Sequence, residues 1–171
     1  MYLAGLMADE TKITKAQLED WVDKAYWSYL SEYAVPWVTA ETPFGFELGL
    51  NWIKSDEETT ASAGWATLAY FAAVREDENL DLIAYGNLLD TVKKEIHSAQ
   101  NRVKYTMNGF VIAVATYIEA LTHKSQQVAK EIGKVTVDVG GTACKVPLAT
   151  TYIDKVIDKG SVGKKRKTAR C

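Results

Sequence analysis

The 171-residue chain lacks the sequence features that mark disordered, metal-binding and membrane proteins. Three prolines and eleven glycines are too few for a linker-rich or disordered chain. Its two cysteines, Cys144 and Cys171, and its two histidines, His97 and His123, show no metal-ligand spacing. We therefore expect reduced thiols in a cytoplasmic protein, with no metal and no cofactor. Apolar runs such as residues 110–115 are too short to cross a bilayer, so no membrane partner is expected.

Sequence motifs of several enzyme classes are also missing. No Walker A loop, G-x-G-x-x-G, H-E-x-x-H or G-x-S-x-G sequence occurs, so nothing supports nucleotide hydrolysis, metalloprotease or serine-hydrolase chemistry. The net charge of −2 is unevenly divided, because residues 159–171 carry six cations and no acid, which leaves −8 on residues 1–158. An acidic body with a basic tail argues against tight DNA binding by the body alone.

The spacing of apolar residues predicts a mostly α-helical chain. Apolar side chains recur at steps of three and four residues over 82–96 and again over 103–117, which is typical of helices with one buried face. Thr14 with Gln17 resembles a capping box that opens an earlier helix.

The helices also repeat along the chain. Residues 52–65, which end in Gly-Trp, resemble residues 95–110, which end in Gly-Phe, with an offset of 43 residues at the serines and 45 at the glycines. Helix pairs with a period of about 40–47 residues are typical of HEAT repeats, which stack into a solenoid with a concave surface. We therefore predict a HEAT-like helical-repeat solenoid over residues 1–133. Met1 already lies in a helical pattern with no polar capping repeat before it, so we expect the N-terminal repeats to be absent.

Residues 134–171 are predicted to add a small β-hairpin, a short helix and the basic tail to the same domain. Apolar residues alternate with period 2 over 134–139, Gly140 and Gly141 follow, and residues 142–146 resume the strand pattern. Two such runs around a glycine pair predict a hairpin.

Four segments resemble the DNA alkylation-repair (AlkD-like) family, especially its subgroup with a C-terminal hairpin and basic tail. They are residues 64–67 (GWAT), 107–113 (MNGFVIA), 137–147 (VDVGGTACKVP) and 163–167 (GKKRK). The resemblance extends over essentially the whole chain and implies a HEAT-like fold. It also implies duplex DNA as a partner, because the characterised members are glycosylases for cationic N-alkylated purines. In such a site an Asp carboxylate stabilises the developing sugar cation beside aromatic faces.

The catalytic positions that the resemblance implies are poorly matched. The family's W-x-x-x-D stretch falls on Trp27 to Ser31, so a neutral serine stands where the Asp is expected. Glu32 is adjacent, but on an α-helix it would point about 100° away. The phosphate-binding arginine falls near Ser62, and the second tryptophan falls on Phe110. The resemblance therefore assigns no catalytic residue and leaves base excision open.

Eight residues remain as candidate DNA-binding positions. They are Trp27 and Phe110 as aromatic faces, Arg102 and Lys104 near the start of a predicted helix, and Lys164, Lys165, Arg166 and Lys167 in the tail. Each has a structural alternative, which is core packing for the aromatics, a solvated surface for the helix cations and a solvated terminus for the tail. The sequence thus predicts a DNA-associating HEAT-repeat protein related to glycosylases. The alternative is a non-catalytic scaffold that binds a protein partner.

Overall fold

The computed structural model describes residues 2–141 and 145–170, and this part of the chain is mostly α-helical, as predicted. Its nine α-helices are α1 (Tyr2–Met7), α2 (Lys15–Asp23), α3 (Val35–Glu41), α4 (Gly45–Trp52), α5 (Glu58–Val74), α6 (Leu82–Glu95), α7 (Asn101–Tyr117), α8 (Thr122–Ile132) and α9 (Ala149–Asp158). A π-helical turn, Leu30–Ala34, leads directly into α3. Short 3-10 turns, Asp77–Asn79 and Glu119–Leu121, follow α5 and α7.

Side-chain caps set the starts of two helices. The Thr14 N–H donates to Gln17 Oε1 at 2.8 Å, and the Gln17 N–H donates to Thr14 Oγ1 at 3.3 Å, so the predicted capping box of α2 is present. At the start of α6, the Ala84 N–H donates to Asp81 Oδ1 at 2.9 Å. Each cap satisfies a main-chain N–H that the first helical turn leaves without an acceptor.

The second helices of successive pairs pack side by side. α5 packs against both α3 and α7, and α7 also packs against α9. α4 covers α5, and α8 covers α7. α5 and α7 are each 17 residues long and begin 43 residues apart, at Glu58 and Asn101, which matches the offset predicted from the serines. We call α3, α5 and α7 the inner row.

Glycines let α4 approach α5 closely. A Cβ atom on Gly64 would lie 2.5 Å from the Ile53 nitrogen, and one on Gly49 would lie 2.7 Å from Leu68 Cγ. The first of these contacts is to main chain, which cannot rotate away. A larger residue at Gly64 would therefore push the two helices of this pair apart.

Three large aromatic side chains join neighbouring pairs into one core. Trp65, Tyr85 and Phe110 are buried, and the Phe110 ring centroid lies 5.8 Å from that of Tyr85 and 5.1 Å from that of Trp65. The Tyr85 hydroxyl donates to the Leu68 carbonyl at 2.9 Å, so its burial leaves no unpaired polar group. Burial raises the pKa of Tyr85 well above its usual value.

The predicted β-hairpin is absent from the part of the chain that the structure describes, where no residue forms a strand. Val135 and Val137 are buried, as the alternation implies, but the main chain of Asp138 pairs with a side chain instead of a second strand. Asn101 Oδ1 accepts from the Asp138 N–H at 2.7 Å, and Asn101 Nδ2 donates to the Asp138 carbonyl at 2.7 Å. Three residues of the second predicted strand, 142–144, lie outside the described residues.

The basic C-terminus folds onto the body as a strap, residues 163–170, which crosses the C-terminal ends of the inner row. The Gly163 N–H donates to the Thr116 carbonyl near the end of α7 at 2.8 Å. The Arg166 N–H donates to the Ala73 carbonyl near the end of α5 at 2.7 Å. The last turns of these helices have carbonyls without intrahelical partners, and the strap satisfies them.

Lys165 fixes the middle of the strap. Its Nζ donates to the Ala72 carbonyl at 3.0 Å and to the Tyr117 carbonyl at 2.7 Å, so one ammonium joins the ends of α5 and α7. The same Nζ lies 2.7 Å from Asp77 Oδ1, and the Lys165 side chain is 10% exposed. A cation at two helix C-termini also interacts favourably with both helix dipoles.

The end of the strap is attached to α3 and to the N-terminal region. Arg170 Nη2 lies 2.7 Å from Glu10 Oε2 and 3.1 Å from Glu41 Oε2. Glu41 Oε1 accepts from the Ala169 N–H at 2.7 Å. The tail that the sequence presents as a free basic terminus is therefore part of the packed structure.

Other sequence predictions concern membranes, metals and thiols. Within residues 2–141 and 145–170, no helix combines the length and apolar character needed to span a bilayer. The same ranges hold no cluster of three or more His, Cys, Asp or Glu side chains suited to a metal ion. Cys144 and Cys171 lie outside the described residues, so their reduced state stays a prediction.

Candidate nucleic-acid interface

A cleft of about 180 Å³ lies where the π-helical turn, α5, α7 and the strap meet. Tyrosines and small residues dominate its lining. The tyrosines are Tyr33, Tyr70, Tyr105 and Tyr117, and the small residues are Ala66, Ala69, Ala73, Gly109 and Ala113. Arg166 of the strap and Glu32 of the π-helical turn complete the charged part of the lining. The cleft therefore offers aromatic surface with one charge of each sign.

An aromatic path leads from solvent to this cleft. The Trp27 side chain is 53% exposed, and its ring stacks on Tyr29 with 4.7 Å between centroids. Tyr29 lies 5.4 Å from Tyr33, which lines the cleft. These separations are ordinary for interacting aromatic pairs, so the three rings form one continuous surface. The predicted site residue Trp27 is the outermost ring of this aromatic path.

Tyr33 is held in its neutral form at the cleft. Burial raises the pKa of Tyr33 well above its usual value, and the neighbouring Tyr105, which shares a hydrogen bond with it, acts in the same direction. The Arg102 guanidinium lies over the Tyr105 ring, 4.6 Å from its centroid, in a cation–π contact. Arg102 therefore packs against the aromatic lining of the cleft through Tyr105.

The π-helical turn presents Glu32 to the cleft. The Val35 N–H donates to the Leu30 carbonyl, five residues back instead of four, so this turn holds one residue more than an α-helical turn. Ser31 is 1% exposed, and its hydroxyl has no hydrogen-bond partner among the described residues, whereas Glu32 lines the cleft. Ser31 and Glu32 therefore face different surroundings, Ser31 the core and Glu32 the cleft.

Pro36 supplies the physical reason for this wide turn. A proline inside a helix has no N–H for the carbonyl four residues back, which here belongs to Glu32, and its ring clashes with that carbonyl. Widening the turn before Pro36 relieves the clash. The proline is therefore the sequence signal that could have predicted an irregular turn here.

The Glu32 carboxylate is neutralised by Arg102. Arg102 Nε and Nη2 donate to the two Glu32 oxygens at 2.6 and 2.5 Å, a bidentate ion pair. The side chains of Glu32 and Arg102 are 2% and 24% exposed. Burial raises the pKa of Glu32 and Arg102 opposes that change, while the hydrogen bond from Arg102 raises the pKa of the guanidinium. Because two charge-assisted hydrogen bonds hold the carboxylate, we treat the pair as ionised at neutral pH.

Three other positions from the sequence analysis do not line the cleft. Ser62 is fully buried, and its hydroxyl donates to the Thr59 carbonyl at 3.0 Å. Phe110 has no exposed surface and belongs to the aromatic core. Lys104 is partly exposed, and no ion pair to it occurs among the described residues. Arg102 and Lys104 thus differ, because of these two only Arg102 forms an ion pair among the described residues.

The four tail cations also divide into separate groups. Lys164 and Lys167 are exposed, whereas Lys165 is almost buried against helix ends. Arg166 lines the cleft, and its Nη2 donates to the Arg170 carbonyl at 3.1 Å. The structure therefore places one tail cation at the cleft and two in solvent. The sequence treats all four as equivalent.

Sequence comparisons find relatives in two Listeria species. No family model matches the chain. Uncharacterized protein Lmo0209 of Listeria monocytogenes serovar 1/2a is 33% identical over 157 residues, and uncharacterized protein Lin0241 of Listeria innocua serovar 6a is 32% identical over 157 residues. Each match covers 91% of this chain, and the chain spans 66% of the length of these curated relatives.

A solved structure gives the family. It is described as "a new family of proteins related to the HEAT-like repeat DNA glycosylases with affinity for branched DNA structures". It superposes with a TM-score of 0.91 and 33% sequence identity, and the match covers 100% of this chain and 73% of that chain. The predicted HEAT-like repeat fold is thereby confirmed. The chain belongs to the family of proteins related to the HEAT-like repeat DNA glycosylases.

Proposed function

We propose that this protein binds branched DNA in preference to continuous duplex and does not excise bases. The observation that carries the proposal is the whole-chain similarity, at a TM-score of 0.91, to a relative described as having affinity for branched DNA. The geometry supports it, because an exposed aromatic path leads into a tyrosine-lined cleft. Branched DNA exposes unstacked bases that continuous duplex does not, and aromatic faces stack on such bases.

Arg166 at the cleft, together with exposed cations of the strap and a partly exposed cation of α7, suits phosphate groups. Arg166 lines the cleft, Lys164 and Lys167 are exposed on the strap, and Lys104 is partly exposed on α7. These four cations are a subset of those predicted from the sequence. They would supply affinity that is independent of sequence and falls with salt. The acidic remainder of the body, with −8 on residues 1–158, would limit binding away from this region.

Base excision is not part of the proposal, because the cleft presents no free carboxylate. Within the described ranges its lining holds one acid, Glu32, and Arg102 occupies both of its oxygens. A glycosylase needs negative charge beside the developing sugar cation. A carboxylate already matched by a guanidinium offers little additional stabilisation there.

Replacing Trp27 by alanine is expected to weaken binding of a three-way junction about tenfold, because each base stacked on an aromatic ring contributes roughly 1–3 kcal/mol. The measurement is an electrophoretic titration at about 50 mM salt, with a duplex of equal length alongside. Tyr152→Ala is the matched control, since Tyr152 is 49% exposed but lies on α9 and does not line the cleft.

We expect the unmodified protein to prefer the junction and the control variant to keep that preference. Equal affinity for junction and duplex would contradict the proposed specificity. Absence of any DNA binding at low salt would overturn the proposal and favour the protein-binding scaffold.

A further inference from the structure

We infer that the tyrosine-lined cleft receives a single unpaired nucleobase extruded from the branch point of the bound DNA. The inference rests on the proposed function and names the group that the site recognises. It would make the cleft, rather than the surrounding cations, the origin of the preference for branched DNA. Four observations carry it: the size of the cleft, its aromatic lining, its polar groups and its open position at Gly109.

The size of the cleft suits one ring system. Its volume of about 180 Å³ lies below the roughly 300–1,000 Å³ typical of sites that enclose a whole small-molecule ligand. A nucleotide with its sugar and phosphate would not fit inside. The flat base could enter while the backbone stays outside, near Arg166 and the exposed cations of the strap.

The lining is suited to a planar aromatic group. Tyr33, Tyr70 and Tyr105 come from three successive elements of the inner surface and meet around the cleft. Alanines and Gly109 leave room between them, so a base could lie against aromatic rings without displacing a bulky side chain. Every base has an aromatic face, so such stacking tolerates any sequence at the branch point.

The cleft also holds polar groups that can form hydrogen bonds with the edge of a base. Each carboxylate oxygen has more than one acceptor site, so Glu32 can accept from a base amino group while it stays paired with Arg102. Arg166 can donate, since its guanidinium has five N–H donors and one of its nitrogens, Nη2, bonds to the Arg170 carbonyl. The aromatic path through Trp27 and Tyr29 offers stacking for the bases next to the extruded one.

The cost of extruding a base explains why branch points would be preferred. Removing a base from continuous duplex breaks its pair and its stacking, which opposes entry into any pocket. A base that is already unpaired at a branch avoids most of that cost. A cleft of fixed shape would therefore discriminate between the two kinds of DNA without reading their sequence.

The experiment compares two junctions and two forms of the protein. One three-way junction carries an unpaired base at the branch point, and the other carries an abasic residue at the same position. The variant is Gly109→Leu, which fills the cleft. A Cβ atom on this helical glycine meets nothing within 4 Å, so the variant is expected to fold. Ala113→Leu, one turn further along α7, is a second filling variant.

For the unmodified protein, the abasic junction should bind roughly tenfold more weakly than the junction with the base. Gly109→Leu should bind both junctions equally, at the weaker affinity. Gly86→Leu is the control, because Gly86 is a helical glycine on α6 that does not line the cleft, and a Cβ there meets only the flexible end of Lys124 at 3.7 Å. This control should keep the tenfold difference.

The outcomes separate the inference from the proposed function. Equal binding of both junctions by the unmodified protein, with duplex still bound more weakly, would overturn the base pocket and leave branched-DNA binding intact. A tenfold difference that survives in both filling variants would place the base elsewhere and also overturn the inference. Failure to bind either junction would overturn the proposed function itself.

Discussion

Replacing Arg102 by methionine is expected to lower the free energy of unfolding by about 3 kcal/mol. Glu32 is 2% exposed and both of its oxygens accept from Arg102, so the variant would leave a buried charge without its partner. Breaking a buried pair in this way typically costs about 3–5 kcal/mol. Because the Arg102 side chain is 24% exposed, water can reach part of the pair, so the expected loss lies near the lower end of that range. Urea unfolding followed by circular dichroism measures it.

The effect of Arg102→Met should also depend on pH, because Glu32 is the group that would titrate. Burial raises the pKa of Glu32 in the folded protein, and loss of Arg102 would raise it further. A carboxyl whose pKa is higher in the folded state than in the unfolded state favours folding below the unfolded pKa. That contribution is lost as the pH rises through the folded pKa. The stability deficit of the variant should therefore shrink as the pH falls.

Two further variants distinguish a buried charge from a simple packing defect. The double replacement Glu32→Met with Arg102→Met should recover most of the lost stability, since no charge is then left unpaired. Lys124→Met is the control at the surface, because the Lys124–Asp90 pair, at 2.7 Å, is substantially exposed and should contribute less than about 1 kcal/mol. Equal losses in Arg102→Met and Lys124→Met would show that the pair is solvated.

Replacing Lys165 by methionine is expected to lower the free energy of unfolding by about 2 kcal/mol, since hydrogen bonds of a charged group typically contribute about 1.5–3 kcal/mol. The variant would remove one ammonium that donates to the Ala72 and Tyr117 carbonyls and pairs with Asp77. Its neighbour Arg166 would lose its fixed place at the cleft, so junction affinity should fall as well. Thermal unfolding and the junction titration report the two effects.

The matched control for the strap is the preceding residue. Lys164 is exposed, so Lys164→Met should change stability by less than about 0.5 kcal/mol. It should reduce junction affinity only modestly and mainly through the salt dependence, because one phosphate contact would be lost. Identical stability of the two variants would mean that the strap is not held by Lys165.

Helices and repeats could be predicted from the sequence because their causes are local. The apolar stripe over 82–96 and the capping box at Thr14 are set by residues three or four positions apart. The 43-residue offset between α5 and α7 follows from repetition of the same unit. The β-hairpin prediction is not supported by the described residues, because alternation gives burial, as at Val135 and Val137, but does not identify the hydrogen-bonding partner. That partner is the side chain of Asn101, 37 residues away.

The candidate site depended more on tertiary structure. Trp27 was predicted as an aromatic face and is exposed, whereas Phe110, proposed beside it, lies in the core. Glu32 could not be placed at the cleft from its spacing, because the cleft forms only where the π-helical turn meets α5 and α7. The division of the tail cations could not be read from their spacing, because the partners of Lys165 come from helix ends about 50 and 90 residues earlier.

The most direct test of the central claim is photochemical crosslinking of a three-way junction that carries 5-iodouracil at its unpaired branch position. Mass spectrometry of the digested complex identifies the linked residues. If the aromatic path and cleft bind the branch point, crosslinks should concentrate on Trp27, Tyr29, Tyr33 and Tyr105, and a duplex with the same base should give few. Crosslinks confined to Tyr152 or to other residues away from the cleft would contradict the account.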